Sequence, residues 1–298
     1  MTEKTKTVGK SIPKIDSYAL LTGKPKFTDD IDMRGMLICK ILTSPHPHAR
    51  IKSIDISKAE KLPGVRCVLC HKNVTRKAHT TAGQGYPEPS PYDAFIFDSK
   101  VRYVGDRVAA VAADDLETAE KALGLIKVEY ELLKPVFDPE RSMDKGAPVI
   151  HDEKEAHVII PVEYKPEKNL AAHVDMVVGD LDKGFAEADY VVENKYSNHY
   201  GQHCPIEPHI VITYFDENGR LVVRTSTQVP FHVRRILSYA LDYPLKNIRV
   251  IKPRIGGGFG AKQEVLIEEV AALMTIKTGK SCLKTSERWP LTFSTKRK

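Results

Sequence analysis

The chain has 298 residues, enough for about two domains at roughly 150 residues each. It is 42% hydrophobic and 28% charged with a net charge of +6, a balance that fits a soluble globular protein with a sizeable core. No run of about 18 apolar residues occurs, which excludes a membrane-spanning helix. Met1-Thr2-Glu3-Lys4-Thr5-Lys6 has no apolar stretch behind its charges, which argues against a secretory signal. Basic residues are spread along the chain and aromatic content is only 7%, against nucleic-acid binding. Five cysteines (Cys39, Cys67, Cys70, Cys204, Cys282) are too few and too scattered for a disulfide framework, so a reducing, cytoplasmic compartment is expected.

In chain order, residues 36–42 form an apolar run expected to be a buried strand, and Ile51, Ile54 and Ile56 follow the Pro45 and Pro47 turn as a second extended segment. Residues 65–69 follow Pro63-Gly64 and are strand-like. Cys67 and Cys70 lie in that run as a C-x-x-C. A zinc site would need a second Cys/His pair, which His71 alone does not supply, and a redox motif would open a helix. Buried strand thiols are therefore expected. Residues 78–91, rich in Gly and Pro, form a long loop. Arg107–Ala113 is a small-residue strand, Asp114-Asp115 cap a helix over 116–123, and residues 126–130 alternate as a half-buried strand.

Five prolines between Pro135 and Pro166 mark an extended linker. Beyond it, Asp180 caps a short helix carrying Leu181, Phe185 and Ala188 on one side, and residues 190–196 alternate like a strand. Residues 209–215 and Leu221–Thr225 flank Asn218-Gly219 as a hairpin. Pro230 opens an amphipathic helix with Val233, Ile236, Leu237, Ala240 and Leu241 on one face. A strand at Ile248–Ile251, the glycine run 256–260, a helix over 264–277 ended by Gly279 and a strand over 280–286 complete the pattern.

Four glycines in Gly256-Gly257-Gly258-Phe259-Gly260 allow positive φ and close approach of a ligand to the backbone, and their place between a strand and a helix favours an anion. One reading is a dinucleotide fingerprint, with Gly256, Gly258 and Ala261 as G-x-G-x-x-A and Glu287 as the acidic ribose ligand. Against it, Lys252-Pro253-Arg254 separates strand from glycines, too little chain follows Glu287, and Phe259 has no role.

The other reading is a resemblance. Residues 256–264 resemble the G-G-G-F-G-x-K signature of the xanthine dehydrogenase/aldehyde oxidase family of molybdenum hydroxylases. Ser226-Thr227-Gln228 resembles its S-T-Q, and His203-Cys204-Pro205-Ile206-Glu207 its H-x-x-(M/I)-E segment. Residues 8–16 and 21–31 are similar to its entry segment, and residues 44–49 and 103–111 to its first domain, so the likeness spans nearly the whole chain in order. It is strongest to bacterial xanthine dehydrogenase molybdenum subunits.

The resemblance implies an α+β fold: an N-terminal arm (1–17), an a/b hammerhead domain (18–133), a linker (134–168) and an incomplete molybdopterin-binding domain (169–298). It implies cofactor contacts from Gln228, Gly258, Phe259 and Gly260, and substrate contacts from Phe259 and Gln263. No protein metal ligand is expected, because the pterin dithiolene holds the molybdenum. The implied reaction is hydroxylation of an electron-poor carbon of a purine, another N-heteroaromatic or an aldehyde, with water as oxygen donor. The cofactor would be molybdopterin, plain or as its cytosine dinucleotide. FAD and 2Fe–2S clusters would sit in partner subunits, since no cysteine cluster here suits them.

Many purine-oxidising members have glutamate where this chain has Gln263, which leaves the substrate open. The family's general-base glutamate is expected outside this chain, so turnover would need a C-terminal molybdenum-subunit portion. A non-catalytic docking module is the competing class. Blander roles also stand: Gln228 as a cap of the Pro230 helix, Phe259 as core, Glu207 as partner of a basic residue, and His203 and His209 as ordinary hydrogen-bonded histidines.

Overall fold

The structure is a computed structural model that describes residues 5–81 and 85–285. Helix α1 (Ser17–Leu21) precedes β1 (Leu37–Thr43), and β2 (Ala49–Asp55) follows the proline turn. After α2 (Ser57–Glu60) come β3 (Val65–Cys70), the two-residue β4 (Lys100–Val101) and β5 (Arg107–Ala113). Asp115 caps α3 (Leu116–Leu125) by accepting the Thr118 N–H at 2.8 Å, and β6 (Lys127–Leu132) closes this region.

All of β5 is buried because both its faces are covered. Val111 and Ala113 pack with Ala119 and Ala122 of α3, whereas Ala110 and Ala112 face Leu37 and Cys39 on the other side. Small residues are what let two layers close on one strand. Cys67 and Cys70 fall on opposite sides of the sheet, Cys70 in the core beneath α3 and Cys67 against the other. Burial pushes the Cys67 thiol up to about 11, and none of the five cysteines is in a disulfide. The pair cannot converge on one ligand.

Residues 134–168 are fastened to the first region. Lys100 Nζ donates to the Val149 and Ile150 carbonyls at 3.1 and 2.7 Å and to Asp152 at 2.8 Å. Arg102 binds Glu153 at 2.7 Å, Arg76 binds Glu155 at 2.6 Å, and His157 stacks on Tyr92 at 4.9 Å. This strap ends in a small ribbon, β7 (Glu163–Lys165) with β8 (Leu170–His173). Asn169, at φ 56°, joins the two, and its side chain bonds Ser142, Pro148 and Ile150.

Asp180 caps α4 (Leu181–Glu187), accepting the Lys183 N–H at 3.0 Å, but Leu181 and Phe185 face solvent. No strand forms over residues 190–196, contrary to expectation. Their alternation is that of a strand, yet no neighbouring backbone among the described residues pairs with it, and a ladder needs two members.

The hairpin forms as expected, with β9 (Ile210–Phe215) and β10 (Leu221–Thr225) joined by a turn in which Asp216 accepts the Asn218 and Arg220 N–H groups. Helix α5 (Pro230–Ala240) buries Val233, Ile236, Leu237 and Ala240, and β11 (Ile248–Ile251) follows. Helix α6 (Glu268–Thr278) begins four residues later than its apolar pattern suggests. The Val265 N–H donates to the Thr81 carbonyl instead, and the Glu268 carboxylate accepts the Leu266 and Ile267 N–H groups. Strand β12 (Cys282–Thr285) lies within the expected strand, whose last residue, Ser286, is outside the described residues.

These strands build one seven-stranded sheet in the order β11-β10-β9-β12-β1-β5-β3, beside a three-stranded sheet β4-β2-β6. β12 pairs antiparallel with β9 and parallel with β1, Leu37 opposite Cys282, so both halves of the chain share one sheet. Across this join, Arg107 of β5 is bound to Glu269 of α6 and to the Phe95 and Leu266 carbonyls at 3.0 and 3.1 Å. Burial opposes the charge on Glu269, but the adjoining Arg107 guanidinium prevails and holds it at about 2.

Candidate active site

Three segments meet at one end of the sheet: residues 203–209 ahead of β9, Ser226-Thr227-Gln228 between β10 and α5, and the glycine turn between β11 and α6. Their hydrogen bonds are reciprocal. The Glu207 N–H donates to the Gly256 carbonyl at 3.2 Å, and the Gln228 N–H donates to the Lys262 carbonyl at 2.8 Å. The ring Nε2–H of His209 donates to the Ala261 carbonyl at 2.8 Å.

Beneath the turn lies a buried ion pair. Lys262 is only 1% exposed, and its ammonium meets Glu207 Oε2 at 2.7 Å; the same oxygen accepts the Gly256 N–H at 2.8 Å. Glu207 thus has the partner its bland reading gave it. His209 is likewise a hydrogen-bonded histidine, and His203 is exposed with its nearest polar contact to Gln202. The burial of Lys262 is what sequence reasoning missed. Only the placement of a lysine in a glycine-rich turn hinted at it.

The glycines are required by space as well as by conformation. A Cβ on Gly256 would lie 2.6 Å from Glu207 Cβ, and one on Gly258 would lie 2.5 Å from Gln228 Oε1. Gly257 and Gly260 take φ of 100° and 93°, and Phe259, unusually for its type, takes 53°.

Gln228, Gly258, Phe259 and Gly260 therefore come together. Gln228 Oε1 accepts the Gly260 N–H at 3.1 Å, which fixes the amide's orientation, and its NH2 has no protein acceptor among the described residues. It does not cap α5. The Val229 N–H is met by Thr227 Oγ1 at 3.1 Å. The backbone N–H groups of Gly257, Gly258 and Phe259 likewise find no acceptor among the described residues. Gly258 itself is buried, whereas Gly257 is half-buried and Phe259 exposed, so the N–H groups of Gly257 and Phe259 are the ones an anion can reach. Phe259 is 74% exposed and stands over the turn, so it is not core. Gln263 follows on the rim, its N–H bonded to the Gly260 carbonyl at 3.2 Å. The seven residues between Gly260 and α6 mean that the turn is not a helix N-terminus, which removes the main physical support for the dinucleotide reading.

Among the described residues, no group of three or more His, Cys, Asp or Glu side chains could hold a metal ion, and no helix is long and apolar enough to cross a membrane. The arrangement offers neutral donors and an aromatic wall, with the His203 ring Nε2 3.8 Å from the place of a Cβ on Gly260.

Residues 22–134 match the a/b hammerhead domain of aldehyde oxidase and xanthine dehydrogenase, and residues 162–296 match the molybdopterin cofactor-binding domain. The probable hypoxanthine oxidase XdhD of Escherichia coli O157:H7 is 44% identical over 299 residues, which cover 93% of this chain and 31% of XdhD. The nicotinate dehydrogenase large molybdopterin subunit of Eubacterium barkeri is 33% identical over 97% of this chain and 66% of its own length. Among solved structures, CO dehydrogenase from Oligotropha carboxidovorans superposes with a TM-score of 0.76 at 30% identity, over 94% of this chain and 35% of that one. The chain spans about a third of the length of XdhD.

Proposed function

Because the chain belongs to the xanthine dehydrogenase/aldehyde oxidase family of molybdenum hydroxylases, as an N-terminal part of their molybdenum-binding subunit, we propose that its glycine turn and Gln228 form one wall of a hydroxylase active site. The observation that supports this is a set of donors without acceptors among the described residues, the Gln228 amide and the N–H groups of half-buried Gly257 and exposed Phe259, beside an amide that the Gly260 N–H fixes. A molybdopterin cofactor fits these residues, since its oxygen acceptors would meet neutral donors that have no acceptor among the described residues. When bound, the group supplies a metal centre that accepts two electrons from the substrate carbon.

This chain's residues orient and polarise. Gln228 would donate toward the oxygen ligands of the bound group without adding charge. Gly258 makes the room that the Gln228 amide occupies, Gly260 holds that amide through its N–H, and Phe259 would offer its ring to a flat heteroaromatic substrate. Gln263 at the rim hydrogen-bonds a substrate heteroatom but moves no proton at neutral pH. The substrate class is an N-heteroaromatic such as a purine, with an aldehyde as the variant to be tested beside it. The general base comes from the part of the subunit that this chain does not span, and electrons leave to FAD and 2Fe–2S partner subunits. We infer a cytoplasmic setting from the free thiols.

The test is a chimera in which this chain replaces the matching third of XdhD, produced with the electron-transfer partners. It should retain molybdenum by metal analysis and hydroxylate hypoxanthine. Gln228→Ala should keep the metal and lower kcat about 100-fold, the usual loss for one transition-state donor. A chimera that folds but holds no molybdenum would refute the proposal.

A further inference from the structure

Residues 203–207 and the glycine turn run past each other. The Glu207 N–H meets the Gly256 carbonyl at 3.2 Å, Pro205 lies 3.3 Å from the place of a Cβ on Gly257, and His203 Nε2 lies 3.8 Å from the place of a Cβ on Gly260. Cys204 takes φ of 43°, left-handed backbone that few residues other than glycine and asparagine adopt, so a specific bend brings His203 to the turn. Leaving aside the chain neighbours of Gly260, that nitrogen is the one atom among the described residues within 4 Å of the place of its Cβ. Gly260 is therefore glycine for its φ of 93° rather than for want of space, and the room beside it is bounded by an imidazole.

Gln202 sets which ring nitrogen carries the proton. Its side chain meets the His203 backbone N–H at 2.7 Å, and because a backbone N–H can only donate, the atom it meets is the amide oxygen. The same oxygen is 3.3 Å from ring Nδ1. An oxygen that only accepts calls for a proton on Nδ1, which leaves the lone pair on Nε2, the nitrogen beside Gly260. That Nε2 has no polar partner among the described residues. Around it the Gln228 NH2 and the N–H groups of Gly257 and Phe259 are all donors, so His203 adds an acceptor to a site otherwise built to donate.

We propose that His203 determines substrate specificity: its Nε2 accepts a hydrogen bond from a ring N–H of the substrate, while Phe259, next to Gly260, takes the face of that ring. An N-heteroaromatic that carries an N–H, such as hypoxanthine, uses both contacts, whereas an aromatic aldehyde uses only the second. His203 acts by recognition alone, and no bond to it forms or breaks. This rests on the hydroxylase reading above and narrows its substrate class. The two can fail separately.

The same XdhD chimera is prepared with native His203, with His203→Leu, which removes the acceptor, and with His203→Gln, whose side-chain oxygen restores one. In His203→Leu the ratio of kcat/KM for hypoxanthine to that for benzaldehyde should fall about 30-fold, the loss when a donor is left without its partner in a closed site. Equilibrium dialysis of labelled hypoxanthine against chimera held reduced, so that it binds without turnover, should show Kd weakened by about the same factor. His203→Gln should recover most of both, and molybdenum content should be equal in all three. An unmoved ratio, an equal fall for both substrates, no recovery in His203→Gln, or loss of molybdenum from His203→Leu would each overturn the specificity role and leave the hydroxylase reading standing. So would a native chimera that hydroxylates benzaldehyde but not hypoxanthine. A native chimera that folds without molybdenum overturns both.

Discussion

Gly256 and Gly258 have ordinary backbone angles, so space alone makes them glycine, and the two spaces differ in kind. Gly256→Ala would drive a methyl into the base of Glu207, which cannot move without disturbing the Lys262 pair. A loss of about 1–3 kcal/mol in urea unfolding is expected, as for other overpacked sites. Gly258→Ala would meet only the far end of the Gln228 amide, which can swing away. That variant should lose about 1 kcal/mol with the Gly260 hydrogen bond, and the chimera carrying it should, like Gln228→Ala, keep its molybdenum while kcat falls. At this scale the motif was readable because glycine, glutamine and phenylalanine announce themselves by type. The Glu207–Lys262 pair was readable only as a possibility, since the partners are 55 residues apart and any of many basic residues would have served.

Strands and helices were legible where local chemistry and tertiary demand agree. Arg107–Ala113 starts and stops where its small apolar run does, and α3 begins at the residue its Asp115 cap selects. They disagree at α6. Residues 264–267 have helical character, but the Thr81 carbonyl, distant in sequence, claims the Val265 N–H, and the Glu268 carboxylate takes the Leu266 and Ile267 N–H groups, so the helix begins only at Glu268. Glu269, next in that helix, carries an element-scale prediction. Its folded carboxyl sits at about 2, below the ordinary 4.5, so its stabilising contribution is complete above the ordinary value and drains away as pH falls toward about 2. Glu269→Gln should flatten the acid side of the stability profile measured by denaturant midpoint. Glu269→Ala, which strands Arg107 in the core, should cost about 3–5 kcal/mol at neutral pH.

For the molecule as a whole, the sequence conveyed the order of parts but not their union. Nothing local to Cys282–Thr285 indicates that it will separate β9 from β1, because strand pairing across such a distance leaves no mark in composition or period. The shared sheet makes a whole-molecule prediction. Chain ended at Thr285 should unfold in one calorimetric transition, and chain ended at Gly279, lacking β12, should show a broadened or divided one.

β12 also sets an order of events during synthesis. β1, β3 and β5 leave the ribosome early and can pair at once, since their contacts are near in sequence, whereas the partner for the other edge of β1 is translated long afterwards. Until then the nascent chain carries an open, apolar strand edge. That edge is where a chaperone is needed and where aggregation would begin.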